Sequence, residues 1–170
     1  MTKVVNPLIS NREERFLNFV ATCLFRFLHP DLATFIAVLA SLVAFAFYVL
    51  LEGGYGYLLC NVALFVHYIF DGVDGKIARL RNLGRKNGWL IDKASDYVSS
   101  CFFVSGFFYA SVKSVFVVCL VLAATTFVHC VHGYYQRKGY EVKLGGTESR
   151  VVLSVLNLVM WVMTLPRINS

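Results

Sequence analysis

Charge is what this sequence has least of. Asp, Glu, Lys and Arg make up 15% of its 170 residues and hydrophobic types 58%, where soluble domains average roughly 25% and about 45–50%. The shortage excludes an ordinary soluble domain, and the mean hydropathy of +0.64 points the same way. Paired cysteine spacing is missing as well. The five cysteines, Cys23, Cys60, Cys101, Cys119 and Cys130, form no CxxC and all lie in or beside apolar stretches. That excludes a zinc ribbon or a disulfide framework and leaves small buried hydrophobes. No cleavable signal peptide is expected, because the first 15 residues are mostly polar, with Arg12, Glu13, Glu14 and Arg15 in a row. There is no internal repeat and no low-complexity tract.

What is there is a series of apolar runs long enough to cross a bilayer. Residues 8–28 come first and read as an amphipathic helix. Phe16, Phe19, Val20, Cys23, Leu24, Phe27 and Leu28 fall at helical spacing, with Arg12, Arg15, Asn18, Thr22 and Arg26 largely between them. This run is too interrupted to span and suits the membrane interface. Pro30 separates it from the first span. Spans are predicted over 32–51, 55–80, 88–112, 115–135 and 151–165, with turns at 52–54 and 113–114 and polar loops at 81–87 and 136–150. The expected architecture is an all-α integral membrane protein. Residues 1–30 form an interfacial segment and residues 31–170 a bundle of five transmembrane helices.

The net charge of +6 would suit nucleic acid, but the cations sit in short gaps between apolar runs. Lys3, Arg12, Arg15 and Arg26 precede the first span. Arg81, Arg85 and Lys86 follow the second, and Arg137, Lys138, Lys143 and Arg150 follow the fourth. The other turns and the C-terminal tail carry only Lys113 and Arg167. This bias places the N-terminus and both polar loops on the cytoplasmic side of a cell membrane. No nucleic-acid partner is expected.

Against that apolar background four aspartates stand out. Asp71 and Asp74 end the second span; Asp92 and Asp96 begin the third. One aspartate at the centre of a membrane helix costs roughly 2.5–3.5 kcal/mol on insertion scales, so an intramembrane group of four is read as functional. Residues three or four apart share a helical face. Asp71, Asp74, Gly75, Ala78 and Arg79 therefore form one stripe, and Gly88, Asp92 and Asp96 another, joined by a single hairpin. Clustered carboxylates suit a hard divalent cation, magnesium or manganese. Gly75, Ala78 and Gly88 leave a gap for close helix packing or a flat ligand, and Arg79 suits a phosphate.

Residues 71–96 read D-x-x-D-G-x-x-A-R, eight residues, then G-x-x-x-D-x-x-x-D. This resembles the signature of the CDP-alcohol phosphotransferase (CDP-alcohol phosphatidyltransferase) family, with every fixed position occupied; the span pattern extends the resemblance to most of the chain. The resemblance implies that Asp71, Asp74 and Asp92 bind one or two Mg2+ or Mn2+ ions that clamp the diphosphate of a CDP-lipid. It makes Asp96 the general base on the acceptor hydroxyl and a possible metal contact. It puts Gly75, Ala78 and Gly88 against the cytidine, Arg79 on phosphate, and Thr34 near the nucleotide. It also implies a homodimer. Family members usually have six spans where five are counted here, a departure that bears on the dimer interface or the lipid groove rather than on the chemistry.

Smaller signals carry two readings each. Lys76 and Lys93 line the polar mouth or, by preference, snorkel to the interface. His67, one turn before Asp71, orients that carboxylate or packs between helices. His129 and His132 have no carboxylate near them in sequence and read as packing residues. Arg137, Lys138, Lys143 and Arg150, with Glu148, mark topology or form a basic pocket for an acceptor that carries its own phosphate. Tyr55, Tyr57, Trp89, Tyr134 and Tyr135 read as an aromatic belt. The expected function is transfer of a phosphatidyl-type group from CDP-diacylglycerol or CDP-archaeol to inositol phosphate, glycerol phosphate or serine, releasing CMP. Two alternatives are weaker. A prenyl-diphosphate transferase leaves the Gly, Ala and Arg positions without a role, and a cation transporter would carry acidic residues deeper in several spans.

Overall fold

The computed structural model describes residues 10–51, 54–83, 88–137 and 146–164. Among these residues the structure is all-helical: α1 (Ser10–Leu24), α2 (Pro30–Leu50), α3 (Tyr55–Leu80), α4 (Gly88–Val112), α5 (Val115–Arg137) and α6 (Gly146–Thr164). By length and composition α2 and α3 can cross a membrane, while the apolar parts of α5 and α6, Val115–Val131 and Arg150–Thr164, are shorter.

Local chemistry sets the helix ends. Pro30 stands at the start of α2 rather than merely before it, where its missing N–H costs nothing. His29 caps that helix, its Nδ1 accepting from the Asp31 N–H at 3.3 Å. Helix α3 ends with Asn82 at φ 54°, the Asn82 N–H donating to the Arg79 carbonyl and the Leu83 N–H to the Ala78 carbonyl. That is a Schellman ending with Asn in the left-handed position. Helix α6 begins at Gly146, earlier than the apolar pattern implies, because its first turn, Gly-Thr-Glu-Ser, is polar and leaves no apolar periodicity to read.

Helix α1 has two apolar faces. Leu17 and Ala21 are buried against Val73 and Ile77 of α3, with Val20 and Leu24 beside them. Phe16, Phe19 and, just past the helix, Phe27 are exposed. The stripe that sequence periodicity picks out thus belongs mostly to the outward face. Gly72 permits the contact, since a Cβ there would lie 2.8 Å from Leu17 Cδ1. Lys76 Nζ donates to Asn18 Oδ1 at 2.7 Å, and Arg81 Nε to the Phe25 carbonyl.

Helices α2, α3 and α4 make the centre. On α2 the buried stripe is small: Ala33, Ala37, Ala40, Ser41 and Ala44. Small residues let helices approach closely where no hydrophobic drive exists between them. Below this stripe Tyr48, Tyr57 and Phe107 meet edge to face, ring centroids 5.9–6.1 Å apart. Tyr57 is therefore a core residue and not part of an aromatic belt, whereas Tyr55 and Tyr134 are exposed; the side chains of Trp89 and Tyr135 lie outside the described residues. Gly106 faces the Tyr48 ring, which a Cβ would approach to 2.6 Å.

Helix α6 joins through Leu153, Met160 and Trp161 and through a buried polar chain. Tyr48 Oη donates to Asn157 Oδ1 at 2.6 Å, Asn157 Nδ2 to Asn61 Oδ1 at 3.1 Å, and Asn61 Nδ2 to the Ser154 carbonyl at 3.4 Å. Helix α5 lies against α4, where Tyr97 Oη and Thr126 Oγ1 are 2.8 Å apart and His129 meets Tyr97 edge to face. The outer surface stays apolar: Phe35, Phe116, Phe127 and Met163 are each more than 60% exposed.

Candidate functional site

The hairpin of α3 and α4 brings the acidic stripes together. Asp71, Asp74 and Asp92 each offer a carboxylate oxygen, and these oxygens all lie within 4.8 Å of one another. Three carboxylates this close repel, and positive charge among them relieves the repulsion. The donor set is all oxygen, and each carboxylate has more lone pairs than its protein partners use. It therefore fits a hard divalent cation such as magnesium or manganese.

Asp74 is the deepest member, 8% exposed. Thr34 Oγ1 of α2 donates to its Oδ2 at 2.6 Å, and the Gly75 N–H donates to its Oδ1. The family resemblance puts Thr34 near the nucleotide; its hydroxyl here holds a carboxylate of the triad. Asp71 takes a different partner. Arg150 Nη2, at the start of α6, lies 2.5 Å from Asp71 Oδ2 and 3.7 Å from Asp96 Oδ1. The side chains of Arg150 and Asp71 are 17% and 13% exposed. One member of the predicted basic loop thus reaches into the acidic group itself.

Asp96 stands outside the triad, one turn along α4 from Asp92. Lys93 Nζ lies 3.1 Å from Asp96 Oδ2 and 3.7 Å from Asp92 Oδ2. Lys93 therefore lines the polar mouth beside the acidic group, against the snorkelling preference. A lysine three residues before an aspartate on a predicted helix is the signal that could have found the pair. Lys76 does not enter the site and pairs with Asn18. His67 is no partner of Asp71 either. Its Nδ1 faces the Ala37 carbonyl at 3.0 Å and its ring packs edge to face on Phe103, so helix packing wins.

The remaining candidates separate. A Cβ on Gly75 would meet nothing within 4 Å, so open space lies beside the triad at that point. Ala78 and Gly88 are half-buried on the facing helices. Arg79 is exposed, its Nε donating to the Gly75 carbonyl one turn back. Arg137 closes α5, whereas Lys138 and Lys143 lie outside the described residues. His129 Nδ1 faces the Thr125 carbonyl of its own helix.

A family model described as CDP-alcohol phosphatidyltransferase matches residues 27–169, from before α2 to beyond α6. No curated protein matches the chain.

Proposed function

The chain belongs to the CDP-alcohol phosphatidyltransferase family, and from that premise we propose that it transfers a phosphatidyl-type group from a CDP-activated lipid to a small polar alcohol, releasing CMP. The observation that carries the reading is the convergence of the Asp71, Asp74 and Asp92 oxygens within 4.8 Å at the mouth of one helical hairpin.

In this reading Asp71, Asp74 and Asp92 hold one or two magnesium or manganese ions. A divalent ion held there would supply charge neutralisation for the donor diphosphate and the departing CMP. Thr34 orients Asp74, and Arg150 balances the charge of Asp71 until a divalent cation takes that place. Open space at Gly75, with Ala78 and Gly88 on the facing helices, takes the cytidine, and Arg79 takes phosphate. Asp96 accepts the proton of the acceptor hydroxyl. Because Arg150 lies 3.7 Å from Asp96, a cation stands beside the place where the acceptor reacts. This supports an acceptor that carries its own phosphate, such as glycerol phosphate or inositol phosphate, over serine, with Arg137, Lys138 and Lys143 completing its pocket.

The reading includes a membrane setting. Helices α2–α6 form five spans over residues 31–170, and residues 1–30 lie at the cytoplasmic interface with the active site on the same side. Exposed phenylalanines around the bundle support burial in lipid, and the family resemblance supports a homodimer. The test is CMP release by purified protein given CDP-diacylglycerol or CDP-archaeol, magnesium and a panel of acceptors. Release with a phosphorylated polyol is expected; no release with any acceptor would remove the proposal.

A further inference from the structure

Lys93 occupies a position that the motif leaves variable, the first x of D-x-x-x-D. The motif therefore gives it no role in the reaction. Its setting is unusual for a lysine near a helix terminus in an apolar bundle. Helical side chains lean toward the helix N-terminus, which for α4 is the polar-loop end. A lysine there can extend outward along that lean and hydrate its ammonium group. Lys93 instead keeps Nζ between two carboxylates one turn apart, 3.7 Å from Asp92 Oδ2 and 3.1 Å from Asp96 Oδ2, and only about a third of its side chain is exposed.

The two oxygens of Asp96 therefore have different surroundings. Oδ2 hydrogen-bonds Lys93. Oδ1 faces Arg150 at 3.7 Å, beyond hydrogen-bond reach, and the same guanidinium contacts Asp71 of the triad. The second torsion of an aspartate is broad and roughly two-fold, so a carboxylate without a fixed partner does not hold its plane. Asp92 and Asp96 also repel, sharing a face one turn apart. A cation between them opposes both effects.

We propose that Lys93 is a positioning residue: it holds Oδ2 of Asp96 and so presents Oδ1, on the side of Arg150 and the triad, to the acceptor hydroxyl. The inference rests on the reading of Asp96 as general base. Lys93 touches neither the transferred group nor the leaving group; it acts through the carboxylate. A base must sit within hydrogen-bond reach of the proton it takes, and small misplacements are costly.

The experiment measures CMP release and Mn2+ binding (by electron paramagnetic resonance) for full-length wild type, Lys93→Met, Lys93→Gln, Lys93→Arg and Asp96→Asn. Lys93→Met and Lys93→Gln are each expected to lower kcat about 10- to 100-fold, with the KM for CDP-lipid within about threefold of wild type. Lys93→Arg, which keeps the charge, recovers most of the loss. Mn2+ affinity stays within about threefold in all three, rising if it moves at all, because the three ligands are unchanged and Lys93 stands farther from Asp92 (3.7 Å) than from Asp96 (3.1 Å). A kcat within about twofold of wild type in both neutral variants, alongside an inactive Asp96→Asn that still binds CDP-lipid, overturns the role of Lys93 and leaves the base assignment standing. Full turnover by Asp96→Asn overturns the base assignment itself. A change in Mn2+ affinity of about tenfold or more in the neutral variants places Lys93 in the metal site and overturns the positioning role.

Discussion

Replacing Arg150 by methionine removes the one cation that joins α6 to both acidic stripes. Its guanidinium contacts Asp71 and stands 3.7 Å from Asp96, with both partners of the closer pair more than four-fifths buried. Two unit charges about 4 Å apart interact by about 4 kcal/mol at an effective dielectric of about 20. Removing one partner of a buried pair costs about 3–5 kcal/mol, because the other charge is left uncompensated. The Arg150 side chain is not wholly buried, so about 2–4 kcal/mol is the expected loss for Arg150→Met in metal-free buffer. Unfolding in mixed detergent micelles gives the value, and a double-mutant cycle with Asp71→Asn isolates the pair. The coupling should be about 1–3 kcal/mol, since removing Asp71 as well relieves most of the uncompensated charge. Magnesium should stabilise Arg150→Met more than it stabilises wild type, because the guanidinium no longer competes for Asp71. A coupling below about 0.5 kcal/mol, together with equal magnesium stabilisation of both proteins, would show that Arg150 and Asp71 do not act as a pair.

Thr34→Val keeps the shape of the side chain and removes the hydrogen bond to Asp74; Mn2+ affinity should fall about 10-fold or more, read by metal titration. Gly75→Ala should fold like wild type, since its methyl group meets open space, yet bind CDP-lipid more weakly, which equilibrium binding to donor-containing micelles would report. Gly106→Ala should destabilise by about 1–3 kcal/mol, because the Tyr48 ring and the Phe45 backbone leave no room for a methyl group. Asn157→Leu removes one link of the buried Tyr48–Asn157–Asn61 chain and should cost about 1–3 kcal/mol in the same unfolding assay, as its former partners lose their hydrogen bonds.

Much of the helical layout was legible because it depends on local signals. Apolar runs bounded by Gly53, Gly54, Lys113 and Ser114 mark α3 and α4 to the residue. Where such signals stop, sequence pattern and structure part: the polar first turn of α6 has the composition of a loop, and the inward face of α1, Leu17 and Ala21 with Val20 and Leu24 beside them, runs next to the exposed Phe16 and Phe19. The acidic stripes were legible because helical spacing puts Asp71 with Asp74 and Asp92 with Asp96 before any fold is known. Contacts that cross between helices were not. Thr34 and Asp74 are 40 positions apart, and Arg150 and Asp71 are 79 apart. Only the packing of α2 and α6 on the hairpin brings them together. Tyr57 was misplaced for the same reason, since an aromatic near a span end looks alike in sequence whether it faces headgroups or Phe107.

The proposed role of the Asp71, Asp74 and Asp92 triad is to be the metal-dependent centre of a reaction that releases CMP. Its most direct measurement is CMP release from a CDP-lipid and a phosphorylated polyol by wild type, Asp71→Asn, Asp74→Asn and Asp92→Asn, each with magnesium and with excess chelator. Wild type should turn over with magnesium and stop with chelator, and each variant should lose about 100-fold or more with the metal present. Wild-type turnover that survives the chelator, or a triad variant that works at the wild-type rate, would show that the reaction does not depend on a metal held by the triad.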